Sequence, residues 1–144
     1  MNTQAKQYLV LAHYDGDHRI VDDLVRARLE AGPAHFLVLV PATPPQTGAL
    51  TWSEEEAWRL ARARLDHAVR ALGALGAKVS GEIGADSAAD ALRDTLRERR
   101  FDEVILATPP SSFLERFFGD LGALAKRIAH SRVTHVMVPQ ARAI

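Results

Sequence analysis

Four short, largely apolar runs constrain this chain more than any other feature: Tyr8 to Ala12 (YLVLA), continuous, then His35 to Val40 (HFLVLV), Glu103 to Ala107 (EVILA) and Val133 to Val138 (VTHVMV). Each has the length of a strand, and a strand that is apolar throughout suits a parallel sheet buried on both faces. A fifth segment, Lys78 to Ile83 (KVSGEI), reads differently. It alternates, contains Gly81 and carries charge near both ends, as an exposed edge strand does.

Helical spacing fills the intervals. Ile20, Val21, Leu24, Val25 and Leu29 recur three and four residues apart until Gly32-Pro33 stops the pattern. Pro41 ends the second strand, and the longest loop, PATPPQTGALTW, follows. Ser53 with Glu56 forms a capping box for a long helix whose apolar stripe is Trp58, Ala61, Leu65, Ala68 or Val69, Leu72 and Leu75. Trp52 and Trp58 are expected to anchor that loop and helix to the core. Ser87 with Asp90 opens a third helix, with Ala88, Leu92, Thr95 and Leu96 inward and Arg93, Arg97, Arg99 and Arg100 outward. In a last helix Leu114, Phe117, Phe118, Leu121, Leu124, Ala125 and Ile128 mark the buried face. Strands alternating with helices imply right-handed crossovers and a parallel α/β sheet with helices on both faces.

The 144 residues suit one domain spanning 1–144. Eighteen basic and eighteen acidic residues balance to zero, so no global field steers the chain onto nucleic acid or anionic lipid. With no cysteine, disulfides, thiolate catalysis and Cys-ligated metals are excluded. No apolar run approaches the roughly 18 residues of a membrane span. The first residues, MNTQAKQYLVLAHYDG, lack the pattern of a secretory signal, so a cytoplasmic location is expected.

In such a sheet the crevice lies at the carboxyl ends of the strands, where the direction of winding reverses. With the first strand central, it falls between the first and fourth strands. Its expected lining is His13 to Gly16, Thr108 to Ser112, and Val40 with Pro41. No metal constellation is expected, because His13 and His18 are five residues apart and no carboxylates join them at ligand spacing. No catalytic residue is assigned: Ser111-Ser112 lacks a nucleophile elbow. Nor does Val138-Pro139-Gln140 supply the lysine a response-regulator receiver needs after its fifth strand.

Taken together, YLVLAHYDG, HFLVLVPATPP, TWSEEEAWRLARARLDHAVRALGA, FDEVILAT and RVTHVMVP resemble the universal stress protein family, in particular its divergent actinobacterial branch, over essentially the whole chain. The resemblance implies a Rossmann-like three-layer sandwich with four helices, a five-stranded parallel sheet in the order 3-2-1-4-5, and a homodimer. In some members it also implies ATP at the switch point. Those members hold phosphate with a loop of Gly, two residues, Gly, nine residues, then Gly followed by Ser or Thr. Here Ala107 stands at the first glycine and Pro110 at the second. Gly119 comes one residue early and is followed by Asp120.

Pro109 and Pro110 remove two N–H donors from a loop that would otherwise wrap phosphate, and their rings fix φ where glycine bends freely. Ser112 and Glu115 form a capping box that occupies the helix start. ATP is therefore not the favoured ligand and no cofactor is assigned. Ser111, Ser112 and Arg116 suit a smaller anion. The first-strand position that contacts nucleotide in the family has two counterparts, His13 by strand length and Asp15 by its Asp-Gly pair.

The expected ligand contacts are thus Ala12, His13, Asp15, Val40, Pro41, Ala107, Thr108, Pro109, Ser111, Ser112, Gly119 and Asp120. The apolar fifth strand contrasts with the guarded third, so a homodimer edge is expected at Val133, His135, Val136, Met137 and Val138. Two functions fit. One is a non-enzymatic, stress-related regulatory or ligand-sensing dimer acting through a small ligand or a protein partner. The other is an adenine-nucleotide binder, or a slow ATPase, with an unconventional loop.

Overall fold

The computed structural model describes residues 4–14, 17–43, 53–109 and 121–139. In chain order these form β1 (Lys6–Ala12), α1 (Arg19–Ala31), β2 (Ala34–Pro41), α2 (Glu54–Ala74), β3 (Lys78–Gly84), α3 (Ala88–Glu98), β4 (Glu103–Thr108), α4 (Leu121–Ala129) and β5 (Arg132–Met137). All strand pairs are parallel and the order is β3-β2-β1-β4-β5. The sheet order and the four helices agree with the expected Rossmann-like sandwich.

The apolar runs of β1, β2 and β4 occupy the middle of the sheet because both faces there are covered, whereas β5 is a half-exposed edge. Tyr8, Val10 and Ala12 pack with Val21, Val25, Ala61, Leu65 and Leu72 from α1 and α2. Leu9 and Leu11 face the opposite layer, with Ala91, Leu92, Leu121, Leu124 and Ala125 from α3 and α4. Tyr8 and Phe36 stack across β1 and β2, their ring centroids 4.9 Å apart. β3 is the half-exposed edge expected from its alternation.

The capping residues act as their spacing indicates. The Ser53 hydroxyl accepts from the Glu56 N–H at 3.1 Å, and the Ser87 hydroxyl from the Asp90 N–H at 3.3 Å. Pro41 is the last residue of β2 rather than the stop before it, at a strand end where a missing N–H is tolerated.

Two apolar residues of the predicted helical stripes do not point inward. Ile20 sits at the exposed start of α1, and Trp58 is 52% exposed. The buried stripe of α2 runs through Ala57, Ala61, Leu65, Ala68 and Leu72, one step round the helix from Trp58. Small alanines let α2 approach the sheet, and the indole instead lies near Arg62, whose guanidinium carbon is 5.9 Å from the ring. Trp52, Leu114, Phe117 and Phe118 lie outside the described residues.

A buried ion pair ties α1 to the far half of the sheet. Arg28, in the last turn of α1, donates to both carboxylate oxygens of Glu103 at 2.6 and 3.0 Å, and the Thr134 hydroxyl on β5 donates to the same carboxylate at 2.5 Å. Burial pushes the Glu103 carboxyl up, but these bonds outweigh it and hold the group below its ordinary value.

Candidate functional site

Winding reverses at β1, which pairs with β2 on one side and β4 on the other. Ala12 lies opposite Ala107 in the register, and just past them the His13 N–H donates to the Ala107 carbonyl at 2.9 Å. His13 is buried there, 5% exposed, so it is the side chain held in the seam between β1 and β4. The next pair continues the edge. Val138 N–H donates to the Thr108 carbonyl at 2.7 Å, and the buried Thr108 hydroxyl is hydrogen-bonded with Nε2 of His135 at 2.7 Å. Thr108 therefore bonds a neighbouring side chain across β4 and β5.

Seven of the sequence-predicted ligand residues, Ala12, His13, Val40, Pro41, Ala107, Thr108 and Pro109, collect at the carboxyl ends of three adjacent strands, β2, β1 and β4, and all are buried. Ala42 closes the β2 side through its N–H, which donates to the Ala85 carbonyl at 3.0 Å. Asp15, Ser111, Ser112, Gly119 and Asp120 lie outside the described residues. Of the expected dimer-edge residues, Val133, His135, Val136 and Met137 belong to β5, with Met137 51% exposed. Val138 falls just beyond the strand and is buried within its own chain.

One group of residues went unread in the sequence. A cavity of about 220 Å³ opens beside the end of β1, between Ala12 and Tyr14 on one wall and Leu60, Ala63, Arg64, His67 and Ala68 of α2 on the other. Behind it, His18 Nδ1 lies 2.7 Å from an oxygen of the buried Asp22, and the His18 and His67 rings meet edge to face at 5.4 Å. The other Asp22 oxygen, Oδ1, is buried with no hydrogen-bond partner among the described residues. Burial, and after it the Asp22 charge, pushes the Tyr14 phenol up to about 12, so it is a neutral donor at any ordinary pH. The one legible signal was the four-residue spacing of His18 and Asp22, which sets them on one helix face. That Tyr14 and His67 meet across a sheet end is a tertiary fact.

Nearby, Arg19 holds the exposed Asp17 carboxyl down to about 2 through a side-chain hydrogen bond of 2.6 Å. Among the described residues no group of His, Asp and Glu is placed to hold a metal ion. Nor is any described helix long and apolar enough to cross a membrane.

A doubly wound parallel sheet with buried polar side chains at its switch point defines the class of α/β domains that take ligands at strand carboxyl ends. Within that class the chain has the fold of the universal stress proteins. A universal stress protein in complex with cAMP superposes with a TM-score of 0.65 at 20% identity, covering 94% of this chain and 99% of that one. One from Archaeoglobus fulgidus gives 0.60 at 15% identity over 90% and 92% of the two chains. One from Arabidopsis thaliana with AMP bound gives 0.58 at 12% identity over 94% and 92%. No protein-family model matches the chain, and no curated protein matches it in sequence.

Proposed function

We propose that this chain is a universal-stress-protein-like, non-enzymatic, ligand-sensing dimer of the cytoplasm, and that its ligand sits at the switch point between β1 and β4. The observation that carries the reading is the seam itself: His13 and Thr108, both buried, flank the Ala12–Ala107 pair at the point where ligands of this fold class bind. Buried polar groups at such a point cost stability unless they serve a structural or ligand contact.

The ligand class that fits best is an adenine nucleotide carrying one phosphate. Two proteins of the same fold hold cAMP and AMP. The sequence Ala107-Thr108-Pro109-Pro110 offers too few backbone donors for a triphosphate. In this reading the protein acts through a partner whose binding depends on occupancy, and no bond in the ligand is broken.

Calorimetry with AMP, cAMP and ATP tests it. The expected result is saturable binding of AMP or cAMP, weaker binding of ATP, and a loss of about tenfold in affinity for Thr108→Val, whose shape is kept while the hydroxyl is removed. Tighter binding of ATP than of AMP, or ATP retained through purification, would overturn the ligand class. No binding of any of the three would overturn the nucleotide reading.

A further inference from the structure

At the opposite end of the sheet from the switch point, a second pocket of about 280 Å³ is lined by Gln7, His35, Lys78, Ser80, Arg99 and Arg100 over a floor that includes Leu37 and Phe101. The register explains why these residues meet. Gln7 pairs with His35 and His35 with Lys78, so the first rungs of three adjacent strands present their side chains on one face. Ser80, paired with Leu37, is the next rung of β3 on that face. α3 ends at Glu98, and the chain runs through Arg99 and Arg100 across this corner before Phe101 turns into β4. Two arginines therefore overhang a row of donors.

The charge is one-sided. Three cations line the pocket and no carboxylate does. Of the two acids close by, Glu82 pairs with Arg99 at 2.5 Å and offsets its charge, and Asp102 accepts from the backbone N–H of Gln7 at 2.7 Å, so the excess positive charge of the pocket rests on Lys78 and Arg100. Leu37 and Phe101 are buried on this face, giving the donors a floor of low polarity against which a charge-assisted hydrogen bond is stronger than in open water. A guanidinium, an ammonium, an imidazole, a hydroxyl and an amide converging on one small concavity match a compact anion rich in acceptor oxygens.

We infer that this pocket is a binding site for a small phosphate-bearing molecule, held by Lys78, Arg99 and Arg100 and oriented by His35 and Ser80. It lies at the amino ends of the strands, so it is independent of the switch-point ligand and could be filled at the same time.

Inorganic pyrophosphate is the probe, with citrate as a multiply charged carboxylate comparator, both at fixed ionic strength and followed by amide chemical shifts and calorimetry. The expected result is saturable binding of pyrophosphate at millimolar or lower concentration, with shifts centred on Ser80, Arg100 and Phe101, and markedly weaker binding of citrate. Lys78→Ala and Arg100→Ala, both at exposed positions, should each weaken binding about tenfold without moving the melting temperature, whereas Arg97→Ala in the last turn of α3 should leave it unchanged. Shifts that do not saturate, equal affinity for citrate, shifts confined to the switch point, or unchanged affinity in both pocket variants would each overturn the assignment.

Discussion

Glu103 shows how one polar residue inside an apolar strand is held in place. The run EVILA reads as hydrophobic from its second residue, and its first is a carboxylate buried to the same degree as its neighbours. It is tolerated because Arg28 grips both oxygens and Thr134 adds a third bond. Removing the arginine leaves the acid buried and uncompensated, so Arg28→Ala should lose about 3 kcal/mol in urea unfolding at pH 7. The folded Glu103 value lies below its ordinary 4.5, so the stability it contributes is present above about 4.5 and lost as pH falls through the folded value. The gap between wild type and Arg28→Ala should accordingly narrow toward pH 3. Tyr14 has the opposite sign: its phenol is raised from 10.0 to about 12. Its contribution is complete below pH 10 and disappears as pH rises toward 12. Wild type should lose up to about 2 kcal/mol over that interval that Tyr14→Phe does not lose. Neither arrangement could be read from the chain. Arg28 and Glu103 are 75 residues apart, and nothing local marks either as paired.

At the scale of elements, the sequence was legible where a local rule decides and misleading where packing distance decides. Ser53 and Ser87 cap their helices because the side chain three residues before a free N–H reaches it regardless of tertiary context. Trp58 fell at the right helical spacing yet faces solvent, because α2 lies too near the sheet for an indole and selects alanine there. Gly81 gives the same lesson. It reads as an edge guard, but a Cβ there would stand 2.6 Å from Leu65 Cδ1, so its role is to let α2 settle onto β3. Gly84 is closer still in consequence: a Cβ would meet the Ala91 Cβ at 2.6 Å and the α3 backbone at 3.4 Å. Leu65 can turn away and a helix backbone cannot, so Gly84→Ala should cost about 1–3 kcal/mol and Gly81→Ala less. Gly73, with nothing within 4 Å and helical backbone, should gain about 0.5 kcal/mol as alanine. Thermal or urea unfolding of the three variants checks the ordering, and a Gly84→Ala as stable as wild type would show that α3 yields freely.

For the whole molecule, a five-stranded open sheet has two edges, and their treatment differs. The alternation of β3 marked it as an edge and the family resemblance placed β5 at the other, and the seven predicted residues now at the carboxyl ends of β2, β1 and β4 followed from strand order alone. β3 carries Lys78, Glu82 and two glycines, and its corner is crossed by the Arg99–Glu82 pair. β5 carries Val133, Val136 and an exposed Met137. An edge with apolar side chains recruits another strand, and the simplest partner is a second copy related by a two-fold axis. Met137 makes the sharpest probe because, already half exposed in the single chain, it contributes little to folding. Met137→Asp should therefore keep the melting temperature within a degree or two, yet raise the dimer dissociation constant at least about tenfold in sedimentation, by setting two carboxylates against each other across the axis. Arg93→Asp, on the outer face of α3, should leave assembly unchanged. A wild-type monomer at micromolar concentration would refute the dimer. A dimer indifferent to Met137→Asp would move the interface away from β5.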